Sequence, residues 1–264
     1  MIKSAIKSIL YAVAPVKTTE LLSARARAHS HRLIKEWGID KLNRKLIDLL
    51  GTKVQSGPFA GMQLTPMTFS EHLGPFLLGC YEAELHPWLN IVKQIQFSQI
   101  IDVGAKFGYY AVGLALNRPE VETIGFDTDE WARKAMMEMA EANCVATLRI
   151  EGFCSPNWFK HNLKTNSFII SDCEGYEGEL LCSIPIPALK TAHLIIEIHE
   201  MFQPGVKSRI YEHYKQSHEI EIVQSSVRNP PNIEVLKRML PKEIEQAILE
   251  IRCEQEWLFL SPKK

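Results

Sequence analysis

From residue 97 onward, short apolar runs alternate with stretches in which apolar residues recur every three or four positions. The runs fall at 98–103, 121–126, 146–150, 167–172 and 193–198, and the periodic stretches at about 108–117, 129–142, 155–163, 175–183 and 205–216. A continuous apolar run of this length fits a strand buried on both faces, and the wider spacing fits a helix with one apolar side. Strict alternation with short joints predicts an α/β fold in which helices cover both faces of a parallel sheet. Two later strands, around 218–224 and 256–261, flank a helix near 232–250 and are expected to form a final hairpin-like pair. The expected sheet has seven strands, mostly parallel.

The pattern before this core is different. Ile2, Ile6, Ile9, Leu10 and Val13 share helical spacing, with Lys3 and Lys7 elsewhere on the wheel, which predicts an amphipathic helix over 2–14. Such a helix packs on its own domain, on a second copy in a homodimer, or on a membrane surface as a peripheral contact; packing on protein is favoured. A second helical stretch, about 18–50, stops at Gly51. KVQSGPFAGMQL at 53–64 reads as a hairpin or paired short strands around Gly57, Pro58 and Gly61. LLGCYEAELHPWLNIVKQI at 77–95 reads as a helix whose Leu85, Leu89, Val92 and Ile95 form a stripe beside Glu82 and Glu84. The expected division is a helical extension over 1–52 and the main domain over 53–264.

Composition narrows the function. Of 264 residues, 46% are hydrophobic and 23% charged, enough apolar material for one sizeable α/β core and too much for extensive disorder. The net charge of −1 provides no global attraction for phosphates, so no nucleic acid partner is expected. Residues 1–50 hold ten Lys/Arg against four Asp/Glu, which makes the extension the basic part. Six cysteines stand at 80, 144, 154, 173, 182 and 253 without a CxxC pair, so structural zinc is not expected and a reducing, cytoplasmic setting is. No stretch approaches the roughly 20 apolar residues of a membrane span. The first seventeen residues fit a signal peptide poorly, because Lys7 interrupts the apolar run and Pro15 ends it.

Candidate chemistry sits where apolar runs end. IIDVGAKFGYYAVGLA carries an apolar strand to Asp102, then Gly104, Ala105 and Gly108, then an apolar helix. Glycines in such a turn let backbone approach a ligand, and the helix start offers N–H groups. The D-x-G-x-x-x-G spacing departs from the dinucleotide fingerprint, so a pyrophosphate fits less naturally. Asp127 ends the next strand in TIGFDTDEW, 25 positions on, where a carboxylate accepts from both ribose hydroxyls, leaving Thr128 or Asp129 to cap the following helix. Phe153 and Cys154, in RIEGFCSP, are placed beside an adenine ring; a buried structural Phe competes with that reading. Asp172 and Glu174 follow the fourth strand, and Glu197 and His199 the fifth. Ligands of open α/β sheets bind beyond these strand ends, so the four side chains are expected to converge with the first turn. A base that takes a proton from an oriented acceptor is a role open to Asp172, Glu174 or His199.

With these residues in place, the chain resembles the FkbM family of S-adenosylmethionine (SAM)-dependent methyltransferases. The matching pieces are GPFAGM at 57–62, GCYEAEL at 79–85, IDVGAKFGYY at 101–110, SDCEGYEGELL at 171–181, IIEIH at 195–199 and WLFLSP at 257–262, over roughly residues 53–262. The resemblance implies a Rossmann-like class I methyltransferase fold and SAM held after Asp102 with Asp127 on its ribose. It implies O-methylation of a small molecule, sugar, glycan or other secondary-metabolite hydroxyl. The expected cofactor set is Glu82, Asp102, Gly104, Ala105, Gly108, Asp127, Thr128, Phe153 and Cys154; the expected catalytic set is Asp172, Glu174 and His199. Lys106 stands where the family commonly has Asn, and Ile170 where a Lys often precedes D-x-E-G. A cation at 106 is unfavourable beside a sulfonium unless it points outward or pairs with Glu82 or Glu174.

Three rival readings compete. NPPN at 229–232 superficially resembles a motif of amino-methylating nucleic acid enzymes, but it follows the sixth strand and lacks the terminal aromatic residue, so it reads as a loop. A Mg²⁺-assisted version would use Asp172, Glu174 and Glu197; no metal is expected. A non-catalytic scaffold would keep the fold and use the basic extension for a membrane or protein partner.

Overall fold

The computed structural model describes residues 34–69, 72–250, 252 and 254–263, together with 25, 28, 29 and 32. The amphipathic helix expected over 2–14 lies outside the described residues, as does most of 18–33.

All seven expected strands form one sheet: β1 (Gln99–Val103), β2 (Thr123–Phe126), β3 (Leu148–Glu151), β4 (Ser167–Ser171), β5 (His193–Glu197), β6 (His218–Gln224) and β7 (Glu256–Pro262). Their order across the sheet is β3-β2-β1-β4-β5-β7-β6. The first five are parallel, and β7 inserts antiparallel between β5 and β6. This is the Rossmann-like class I methyltransferase fold. β1 pairs with β2 on one side and β4 on the other, so the chain reverses its winding direction there and opens a crevice beyond the ends of β1 and β4.

Period two explains the two cores. Ile100, Phe168, Ile170, Ile195 and Phe259 face one side of the sheet. There they meet α4 (Tyr109–Asn117) and α5 (Glu130–Ala142), and the preceding α1 (Ile39–Leu50), α2 (Leu73–Leu78) and α3 (His86–Val92). Ile101, Ile124, Ile169, Leu194, Ile196 and Leu258 face the other side, against α6 (Pro156–Asn162), α7 (Glu177–Cys182) and α8 (Val206–Tyr214). Leu42 and Leu46 of α1 belong to the first of these cores, and Lys45 pairs with Glu243 of α9 (Pro241–Ala247).

Three expected elements are corrected. The helix over 77–95 is broken: Gly79 ends α2 in the left-handed region at φ 75°, a 3₁₀ turn spans Ala83–Leu85, and α3 restarts with Pro87 in its first turn. Pro87 lacks the N–H that a continuous helix requires, whereas a first turn does not use it. The helix near 232–250 is a 3₁₀ turn over Glu234–Arg238 followed by α9, which Pro241 opens for the same reason. The stretch over 18–50 is interrupted by a turn at 37–38, where Gly38 adopts φ 66°. The segment at 53–64 pairs as expected, although only through a bridge of Lys53 and Gln63 and the hydrogen bonds around it.

Candidate functional site

The turn after β1 is built on backbone contact. Gly104, Lys106 and Gly108 have φ of 86°, 50° and 87°. A Cβ on Gly104 would lie 1.6 Å from the carbonyl oxygen of Asp172, so at this position only a glycine lets the β1 and β4 loops touch. The Asp172 amide donates to the Val103 carbonyl at 2.9 Å and ties the two strand ends together.

The expectation of N–H donors in this turn needs correction at two positions. The amides of Gly104 and Ala105 both donate to the Phe126 carbonyl at 2.9 Å, because β2 runs beside β1 and claims them. Asp102 is 2% exposed beneath the turn and accepts from the Ala111 amide in the first turn of α4. Its Oδ2 has no hydrogen-bond partner, and burial, then the charge of Asp172, pushes its pKa up to about 8.

Asp127 stands just past the end of β2, half-buried. Its two oxygens accept from the amides of Lys106 and Asp129, each at 2.8 Å. Burial outweighs these bonds and raises its pKa. Asp129, not Thr128, caps α5, accepting from the Trp131 amide, and Thr128 is exposed. Next along the sheet edge, Phe153 is 58% exposed and meets Tyr176, with ring centroids 5.4 Å apart. A buried structural Phe is therefore ruled out at 153, whereas Cys154 is buried.

On the β4 side, Asp172, Glu174 and His199 converge. His199 Nε2 lies 3.6 Å from Asp172, 3.7 Å from Glu174 and 3.7 Å from Glu197. Its other nitrogen lies 2.7 Å from Glu177. Glu177 is fully buried at the start of α7, and the same oxygen accepts from the amides of Cys173 and Gly175. Burial opposes its ionisation, but the His199 hydrogen bond and charge hold its pKa below the ordinary range, so it accepts and Nδ1 donates. Burial likewise opposes a charged His199, yet the Glu177 bond and the Asp172 charge raise its pKa. Glu197 is 2% exposed, and burial and the Asp172 charge keep its carboxyl protonated at neutral pH. Glu174 is largely exposed and held at φ 55°. Non-glycine residues in this region store strain, which collects at binding sites.

Sequence reasoning does not single out Glu177, and the signal for it is its place three residues after Glu174 in EGYE, at a helix start. Glu82 lies behind the turn, 1% exposed at φ 46°, with its carboxylate engaged by Arg252 and the Tyr110 hydroxyl. Arg252 is a partner that no local pattern announces. Lys106 points outward, its Nζ 5.7 Å from the Phe107 ring centroid, and Ile170 is buried in the sheet beside Asp102.

No protein-family model and no curated protein matches the chain. Among solved structures it is similar to an rRNA methylase from Streptococcus thermophilus, at 11% identity over 68% of this chain and 96% of that one, with a TM-score of 0.47. It is also similar to a provisionally assigned O-methyltransferase from Klebsiella pneumoniae, at 13% identity, 92% and 100% coverage and a TM-score of 0.47. A Pyrococcus abyssi tRNA (uracil-54, C5)-methyltransferase, crystallised with S-adenosyl-L-homocysteine, is 17% identical over 66% of this chain and 38% of its own, with a TM-score of 0.40. Likenesses this distant add nothing to the fold already read from the strand order.

Proposed function

We propose that this chain is a SAM-dependent O-methyltransferase of the FkbM kind, acting on a hydroxyl of a small molecule, sugar or glycan. The observation that carries this reading is the abutment of Gly104 on the Asp172 carbonyl, which joins the glycine turn to the acid and histidine cluster in one crevice. The segments behind the FkbM resemblance border that crevice or each other. A Cβ on Gly57 would meet the Gly79 carbonyl at 2.2 Å, and Glu82 of the second segment is bonded to Tyr110 of the third.

The residues fit the cofactor. Each Asp127 oxygen accepts one amide and keeps a second lone pair for a ribose hydroxyl. Phe153 and Tyr176 offer exposed aromatic surface one strand further, and Asp102 supplies an orphaned buried oxygen under the turn. When bound, SAM supplies an electrophilic methyl group on a positively charged sulfur. The carboxylates of Asp172 and Glu174 favour that charge and orient the acceptor. Asp172 would take the proton of the acceptor's O–H as the oxygen bonds the methyl carbon and that carbon's bond to sulfur breaks, leaving S-adenosylhomocysteine.

Calorimetry with S-adenosylhomocysteine tests the reading. The wild type is expected to bind, and Asp127→Asn to bind about ten-fold more weakly, the value of one hydrogen bond to a charged group. Glu174→Gln is expected to leave that affinity within about two-fold. Absence of binding at millimolar SAM and S-adenosylhomocysteine would sink the proposal and favour the scaffold reading.

A further inference from the structure

The surroundings of His199 Nε2 are chemically lopsided. Because Nδ1 carries the proton shared with ionised Glu177, the neutral ring presents a lone pair at Nε2. That lone pair faces Asp172 Oδ1, Glu174 Oε2 and Glu197 Oε1 at 3.6–3.7 Å, too far for hydrogen bonds. Asp172 Oδ1 and Glu197 Oε1 are buried with no hydrogen-bond partner, and Glu197 is 2% exposed. The neighbouring guanidinium of Arg252 is bound by Glu82 and Glu250. Apart from the one proton on Glu197, no donor stands among these groups, and lone pairs gathered so on one point are what a cation neutralises.

The geometry points to a divalent-cation site formed by His199 Nε2, Asp172 and Glu174, and we propose that it takes a first-row ion of the Mn²⁺ class. The three ligand atoms all lie within 4.8 Å of one another. Ligands about 2.1 Å from a shared ion lie roughly 3.0–4.2 Å apart, and the 3.6 and 3.7 Å from Nε2 to Asp172 and Glu174 fall in that range. One imidazole nitrogen with two carboxylate oxygens suits Mn²⁺ or its neighbours better than Mg²⁺, which favours oxygen and keeps its waters. Glu177 supplies the outer support such sites use, a carboxylate on the far ring nitrogen that fixes the tautomer. Glu174 is largely exposed, so the site has an open side toward the crevice. The rival Mg²⁺ reading from sequence placed Asp172 and Glu174 here with Glu197 and not His199, because His199 is remote from the two acids along the chain and the histidine spacings of zinc sites are absent.

The inference rests on the methyltransferase reading and changes one step in it. Coordination of the acceptor oxygen, rather than proton removal by Asp172 alone, lowers the O–H pKa beside the methyl donor.

Titration of the full chain with Mn²⁺, followed by electron paramagnetic resonance of the free ion, tests the site, with S-adenosylhomocysteine affinity measured in parallel. The wild type is expected to bind one Mn²⁺ per chain. Glu174→Gln, at an exposed position where folding is not at stake, is expected to weaken Mn²⁺ at least about ten-fold, and His199→Gln to abolish it, with S-adenosylhomocysteine still bound. Failure to bind Mn²⁺ at millimolar concentration, with S-adenosylhomocysteine bound normally, overturns the metal site and leaves Asp172 as the base. Mn²⁺ affinity unchanged in both variants places the ion elsewhere and also overturns it. Loss of both ligands from the wild type removes the methyltransferase reading as well.

Discussion

At Asp102 one carboxylate oxygen braces α4 through the Ala111 amide while the other meets no donor. The consequence is a definite pH dependence. Its folded pKa of about 8 lies above the ordinary 3.8, so between those values the folded protein holds a proton that the unfolded chain has released. Stability from this group therefore falls as pH rises through that window, the reverse of a salt-bridged aspartate. Asp102→Asn keeps the acceptor for Ala111 and cannot ionise. Its stability relative to wild type is expected to improve from pH 5 to pH 8 by roughly one to a few kcal/mol, each worth about 2–4 °C of Tm. Thermal melts of both proteins across that range decide the matter: a difference that does not change with pH means that the carboxyl titrates normally. The local motif marked Asp102 as important, but whether it faces a ligand or braces a helix depends on α4 folding back over β1, which no residue spacing encodes.

Among the elements, the joint between the β1 and β4 loops can be separated from the strain of its glycines. Gly104 and Gly108 have nearly the same φ, 86° and 87°, so a side chain at either pays a similar backbone cost. Their surroundings differ. An added Cβ at 104 meets the Asp172 carbonyl at 1.6 Å, whereas at 108 it meets the Met136 side chain at 2.6 Å, which can turn aside. Gly104→Ala is expected to cost upwards of about 4 kcal/mol and to abolish S-adenosylhomocysteine binding, and Gly108→Ala about 1–3 kcal/mol. Equal losses in urea unfolding would mean that the two loops are not in contact. The sheet itself was legible because its strands are continuous apolar runs flanked by polar joints, and buried parallel strands leave no other pattern. The break at Gly79 was not, since Leu85, Leu89 and Val92 keep helical spacing into α3 and hide the interruption before it.

On the scale of the whole molecule, five buried charges decide whether the segment between β6 and β7 closes over the turn behind the site. Arg228 pairs with Glu84 and Glu250, and Arg252 with Glu82 and Glu250, all with side chains at most 13% exposed. The contacts to Glu84 and Glu82 join residues 144 and 170 positions apart, which is why sequence patterns revealed the glycine turn and the strand-end acids but not the partner that holds Glu82. Three carboxylates against two guanidiniums leave no spare cation. Replacing a whole buried network with apolar residues is often neutral, but removing one partner strands a charge. Arg252→Met leaves Glu82 with the Tyr110 hydroxyl alone, and is expected to destabilise the protein by about 3–5 kcal/mol and to speed proteolysis within 226–255. Adding Glu82→Gln removes the stranded charge and should return part of that loss, because the penalty arises from an unpaired carboxylate and not from a missing contact. If the double variant is as unstable as Arg252→Met, packing of the arginine stem, not charge balance, closes the segment.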